Sequence, residues 1–125
     1  MVHMGLDGTI KRLDGEPLGE LVEVKDALAI AFPGIVFGLL PSGVDKIRLA
    51  AERGIAFPES LREQLERIPA RNGGDYEGPD FSAQFSLGTS KIVQQIDVIL
   101  YGNTVASGPM FAVLEERFGW VTTHP

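Results

Sequence analysis

Between Phe81 and Leu87 the apolar residues Phe81, Ala83, Phe85 and Leu87 alternate with Ser82, Gln84 and Ser86. Alternation at every second position is the signature of a strand covered on one face. After the loop Gly88-Thr89-Ser90-Lys91, the run from Ile92 to Tyr101 puts Ile92, Ile96, Val98 and Leu100 on one face and Val93, Gln95, Asp97, Ile99 and Tyr101 on the other. The two runs predict an antiparallel hairpin.

Elsewhere the spacing is helical. From Glu20, the residues Leu21, Val24, Leu28 and Phe32 form one apolar stripe, and Pro33-Gly34 supplies the stop. Ser42 followed by Asp45 predicts a capped second helix, with Val44, Ile47 and Ala51 facing inward and Gly54 at its end. Ser60 and Glu63 have the capping-box spacing for a third helix, with Pro58 as the alternative occupant of its first turn. Its inward residues are Leu61, Leu65 and Ile68, while Arg62/Glu66 and Glu63/Arg67 sit four apart on its wet face. A fourth helix opens at Ser107 or Gly108, carries Pro109 in its first turn, buries Met110, Leu114 and Phe118, and closes at Gly119.

The connecting segments complete the outline. Ile35 to Leu40 is apolar on both alternating faces, which predicts a buried strand, and Trp120 to Thr123 predicts a short final one. Asp7-Gly8 and Asp14-Gly15 are turn dipeptides, so the N-terminal stretch reads as a small hairpin or irregular arm. The segment Arg71 to Asp80 reads as an acidic loop joining the helices to the sheet. Together these predict an α+β fold over residues 1–125, a two-layer sandwich with a mostly antiparallel sheet. The first and last helices cover the Phe81/Phe85 face, residues 42–72 form a helical lobe, and the chain ends in a strand-helix-strand unit. Its crossover is right-handed if the two strands run parallel.

Charge and composition narrow the function. The chain carries a net charge of -6, which disfavours nucleic acid as a partner, because phosphate binding draws on clustered Lys and Arg. Residues 42–72 are nearly balanced, with six basic and five acidic side chains, whereas both flanks are acidic. There is no cysteine, so disulfides, thiolate metal sites and a cysteine nucleophile are all excluded. The longest apolar stretch, Ala27 to Leu40, is too short to span a bilayer and is interrupted by Pro33-Gly34, so no membrane partner is expected. Met1 to Gly5 lacks the features of a secretory signal, Met4 is an alternative start, and the cytoplasm is the default location.

Candidate chemistry is sparse. The two histidines, His3 and His124, lie near the chain ends, and no zinc or nucleotide motif is present, so no metal and no cofactor are expected. Asp75, Tyr76, Glu77 and Asp80 compress carboxylates and an aromatic ring into the acidic loop. They can meet a partner; a hard cation would need several such oxygens, although the EF-hand pattern is absent. Two of these acids can also divide into acid and base if burial separates their pKa values. Asp97 either needs a partner on a covered face or faces water; in the second case Val93, Ile99 and Tyr101 form an exposed apolar patch suited to association. Trp120 reads as core, and Glu115-Glu116 as the wet face of the last helix.

Residues Ala51-Glu52-Arg53-Gly54-Ile55-Ala56-Phe57-Pro58-Glu59-Ser60-Leu61-Arg62, with Asn72-Gly73-Gly74 as a later turn, resemble the signature of the Smi1/Knr4 (SUKH) superfamily. That superfamily includes bacterial immunity proteins that neutralise toxins by binding them, so the resemblance implies a binding function. The stretch from Phe81 to Trp120 is similar to small bacterial proteins. Neither resemblance supplies a catalytic residue. The reading is therefore a non-catalytic cytoplasmic protein-interaction module, immunity-like or self-associating as a homodimer, with contacts from Asp75, Tyr76, Glu77, Asp80 and Tyr101. The alternative is a carboxylate-dependent small-ligand binder or hydrolase using the 75–80 loop.

Overall fold

The alternating and helical patterns become twelve regular elements in the computed structural model, which describes residues 6–123. His3, His124 and Met4 lie outside that range. In chain order they are β1 (Leu6–Arg12), β2 (Gly19–Glu20), α1 (Leu21–Ala31), β3 (Val36–Leu40), α2 (Gly43–Glu52), α3 (Glu59–Glu66), β4 (Arg71–Glu77), β5 (Phe81–Gly88), β6 (Ile92–Val93), β7 (Ile96–Gly102), α4 (Gly108–Phe118) and β8 (Trp120–Thr123). A short 3-10 turn, Thr104–Ser107, leads into α4. The fold is α+β. Its main sheet has six strands in the order β3-β4-β5-β7-β1-β8, and β2 and β6 form a separate ribbon. Every pairing is antiparallel.

The Phe81 hairpin forms as its pattern predicts, with Ala83 opposite Leu100 and Phe85 opposite Val98. The second run is not continuous. Val93 and Ile96 are both buried although their positions have opposite parity, so the Gln94-Gln95 step interrupts the strand and resets the alternation. Val93 pairs with Gly19 in the small ribbon and is no part of an exposed patch.

Helices α1 and α4 cover one face of the sheet. Phe32, which ends α1, is the hub, meeting Phe85 at 4.9 Å, Phe111 of α4 at 5.3 Å and Tyr76 at 5.4 Å, each edge to face. Such pairs contribute about 0.5–1.5 kcal/mol each beyond the area they bury. Gly119 closes α4 in the left-handed conformation, with φ 70°, and Trp120 turns into the core as predicted.

The N-terminal segment corrects the sequence reading. It is no irregular arm but β1, inserted between β7 and β8, with Ile10 opposite Ile96 and fully buried. Only Asp14-Gly15 turns the chain; Asp7-Gly8 lies within the strand, and Gly8 is buried opposite Val98. Because β7 and β8 are both antiparallel to β1, they run parallel to each other with β1 between them.

The 42–72 region also departs from expectation. Its caps include Ser42, whose Oγ accepts from the Asp45 N–H at 3.1 Å, whereas Pro58 rather than Ser60 precedes α3. The helices α2 and α3 meet each other, and the Gly43 N–H donates to the Ile68 carbonyl at 2.9 Å. Gly43 is the one buried residue of α2, and α3 has none, so their apolar stripes are not sealed in the main core. The preceding strand, β3, is an edge strand rather than a buried one, with Val36 69% and Leu39 75% exposed. Among the described residues no helix is long and apolar enough to cross a membrane.

Candidate functional site

The face of the sheet turned away from α1 and α4 carries the polar residues, because the alternation that buries one set of side chains presents the other. The segment expected to be an acidic loop is strand β4, paired with β3 on one side and β5 on the other. Its two glycines explain why. On opposite faces of β4, Gly73 leaves room for Leu40, and Gly74 leaves room for Ile35 and Phe37, so β3 can close against the strand. A register shift between Asn72 and Gly73 marks a bulge at the same place. The Asn72-Gly73-Gly74 turn expected from the sequence is therefore extended backbone.

Alternation along β4 divides the predicted contact residues. Asp75 and Glu77 are exposed on the open face and, with Tyr101, Ser82 and Gln84, line a shallow concavity of about 280 Å³. Tyr76 points the other way. Its ring is buried against Phe32 and Phe81, at 5.4 and 5.2 Å, so it is a core residue and not a docking side chain. Asp80 is exposed at the β4–β5 connection, outside that concavity, and its carbonyl accepts from the Asn103 N–H. The structure thus brings Asp75, Glu77 and Tyr101 together on the open face, turns the ring of Tyr76 into the core beneath them and leaves Asp80 outside the concavity. Among the described residues no group of three His, Asp or Glu side chains is placed to hold a metal ion.

A second concavity, of about 460 Å³, lies on the same face and is lined by Arg71, Ser86, Ser90, Gln94, Gln95 and Asp97 among others. The Arg71 Nε donates to Ser86 Oγ at 3.1 Å, and Ser86 stands directly opposite Asp97 in the β5–β7 ladder. Asp97 is exposed, and Gln95 Nε2 reaches its Oδ1 at 3.5 Å. The Arg71 Nη1 is buried and meets no hydrogen-bond acceptor. Leaving a buried donor unpaired costs about 1–3 kcal/mol, and more for a charged group. Sequence reading missed Arg71 because the segment looked like a loop. Read with a period of two, Arg71 shares a face with Asp75 and Glu77.

No protein-family model, no curated protein and no solved structure matches this chain.

Proposed function

We propose that the protein is a non-catalytic cytoplasmic interaction module that associates with a second copy of itself through the β3 edge. The observation that carries this reading is an edge strand with no blocking residue within its own length. β3 itself, Val36–Leu40, contains neither a charged residue nor a proline, the nearest proline being Pro41 just beyond its end; among the described residues it pairs only with β4, and Val36 and Leu39 are largely exposed. Edge strands normally carry charges, prolines or covers that block such pairing.

Gly38 supports a second copy in particular. It has no positive φ, and nothing lies within 4 Å of where its Cβ would stand, so the monomer gives no reason for a glycine there. A glycine inside a strand weakens it and often marks the close approach of another backbone. Antiparallel pairing about a twofold axis at Gly38 sets Val36 against Leu40 and Phe37 against Leu39, with no like charges opposed. Charge points to the same face. The adjoining 42–72 region is nearly neutral on a chain of net charge -6, so two copies repel least when they meet here. Exposed Val44, Leu49 and Ile55 of the lobe extend the apolar surface. A standard interface needs about 800 Å² per partner, roughly a tenth of the 7970 Å² surface of the chain.

Sedimentation velocity over a dilution series tests the reading. The native chain is expected to be a dimer that dissociates on dilution, and Gly38→Lys, which opposes two like charges at the axis, a folded monomer whose melting temperature no longer depends on concentration. A native chain that stays monomeric at every concentration overturns self-association. If such a monomer retains a bacterial toxin through this edge, the immunity-type reading replaces it.

A further inference from the structure

We infer that the α2–α3 lobe is a docking arm ordered by the second copy: in the dimer each lobe closes over the corner that Ile30 of α1 and Val36 of β3 form on the other copy. Such an arm rests on pairing through the β3 edge and supplies the contact area that the edge alone lacks.

The edge by itself is too small for a stable dimer. The 5 residues of β3, at about 3.3 Å each, make an edge about 17 Å long on a sheet layer about 10 Å deep. That is on the order of 200 Å², against the roughly 800 Å² per partner of a standard interface. The lobe holds the adjoining apolar surface: α2 begins at Gly43, just past the end of β3, and Val44, Leu49, Ile55 and Leu61 are exposed. It also needs a cover. Helix α2 has 10 residues and α3 has 8, and neither has a buried side chain. Helices shorter than about 12–15 residues are marginal in water unless packing holds them.

The register of the pairing identifies that cover. A twofold axis at Gly38 sets Leu40 of one copy against Val36 of the other, so the same antiparallel register carries Pro41 to Ile35 and brings the start of α2 alongside the Pro33-Gly34 turn. Two exposed apolar side chains flank that turn, Ile30 in the last turn of α1 and Val36 at the start of β3. From Ile30 to Val44 the chain carries no charged residue. Corner and lobe base therefore meet without opposing like charges, and each covers apolar surface that the other leaves in water.

Hydrogen exchange of the full chain, read by mass spectrometry over a dilution series with sedimentation velocity on the same samples, tests the arm. Amides of residues 43–66 should exchange at least about tenfold more slowly in the dimer than in the dissociated chain. Ile30→Lys should weaken the dimer at least about tenfold. Val22→Lys, at the other end of α1 about 12 Å along the helix and more exposed than Ile30, should leave the dimer unchanged. Circular dichroism of both variants should match that of the native chain. A dimer that protects β3 while lobe exchange stays independent of concentration overturns the arm and leaves the edge pairing standing, as does an equal response to the two lysines. A chain that is monomeric at every concentration overturns both.

Discussion

Leu40 lies directly over Gly73: a Cβ built on that glycine would stand 2.5 Å from the leucine Cγ. The clash is with a branch point rather than a side-chain tip, so the neighbour cannot swing clear. Gly73→Ala is therefore expected to destabilise the fold by about 1–3 kcal/mol, the usual cost of overpacking. At Gly74 the nearest atoms are the Ile35 Cδ1 and Phe37 Cδ1, both at 3.0 Å, and these can yield. Gly74→Ala should cost less. Urea unfolding of the two variants checks the order; equal midpoints would show that Leu40 does not depend on the gap.

Phe32 is fully buried and touches three other aromatic rings, two of them on the sheet and one on α4. Removing its ring takes contacts from both layers at once. Phe32→Ala should lose about 3–5 kcal/mol, and Phe32→Leu less, because it refills part of the space. Thermal and denaturant unfolding measure both, and a loss below 1 kcal/mol for the alanine variant would mean the layers are held elsewhere.

These two relationships show what the sequence could and could not convey. The covered face of β5, the stop after Phe32 and the left-handed Gly119 are local consequences of residue type, and each was legible. For Asp97 the pattern left both a covered and a water-facing position open, and the structure has it exposed. The strand β4 was not legible, because Gly73 and Gly74 resemble turn residues until Leu40, Ile35 and Phe37 are seen filling the space above them. Likewise Asp7-Gly8 resembles a hairpin turn until β1 is found between β7 and β8, a pairing fixed by residues about ninety positions away in the chain. The candidate site inherited the first of these errors: Tyr76 was placed outside and Arg71 was passed over, since the face of each depends on β4 being a strand.

Arg12 and Asp14 flank the N-terminal turn and predict a specific acid response. Arg12 donates from Nη2 at 2.7 Å and from Nε at 3.2 Å, and the Glu16 N–H adds a third bond at 3.0 Å. The hydrogen bonds from Arg12 are the main cause that holds the Asp14 carboxyl below the ordinary carboxylate value, with the Glu16 N–H next. A depressed folded-state value means the stabilisation is fully present above the unfolded pKa and is lost as pH falls through the folded one. The pair is solvent-exposed, so its effect belongs in a titration rather than a melting curve. Carboxyl-carbon NMR should find Asp14 titrating below its ordinary value and moving upward in Arg12→Gln. No movement would show that Arg12 is not the cause.

The exposed edge separates stability from association. Val36 and Leu39 contribute little buried area within one chain, so Val36→Lys or Leu39→Lys should change monomer stability by no more than about 0.5 kcal/mol. Each adds a like charge to both sides of a twofold pairing and should weaken the dimer by at least about tenfold. Sedimentation equilibrium and urea unfolding of the same samples distinguish the two effects. A dimer indifferent to both lysines would lie on another surface.

The lobe should be the first part of the molecule to open. A segment that buries only Gly43 from α2 and nothing from α3 has little to hold it closed apart from its own helix contacts. Its amides should exchange faster than those of β5 and β7, whose side chains form the core, and their opening free energy should fall below the global value. Gly43 is the point at which to perturb it: a Cβ there would stand 1.5 Å from the Leu65 carbonyl oxygen, a backbone atom that cannot step aside alone. Gly43→Ala should therefore separate α2 from α3, accelerating exchange across residues 43–66 while leaving β5 and β7 protected. Hydrogen exchange read by mass spectrometry resolves the two regions. Uniform acceleration through the sheet would instead mean that the lobe and the core unfold as one cooperative unit.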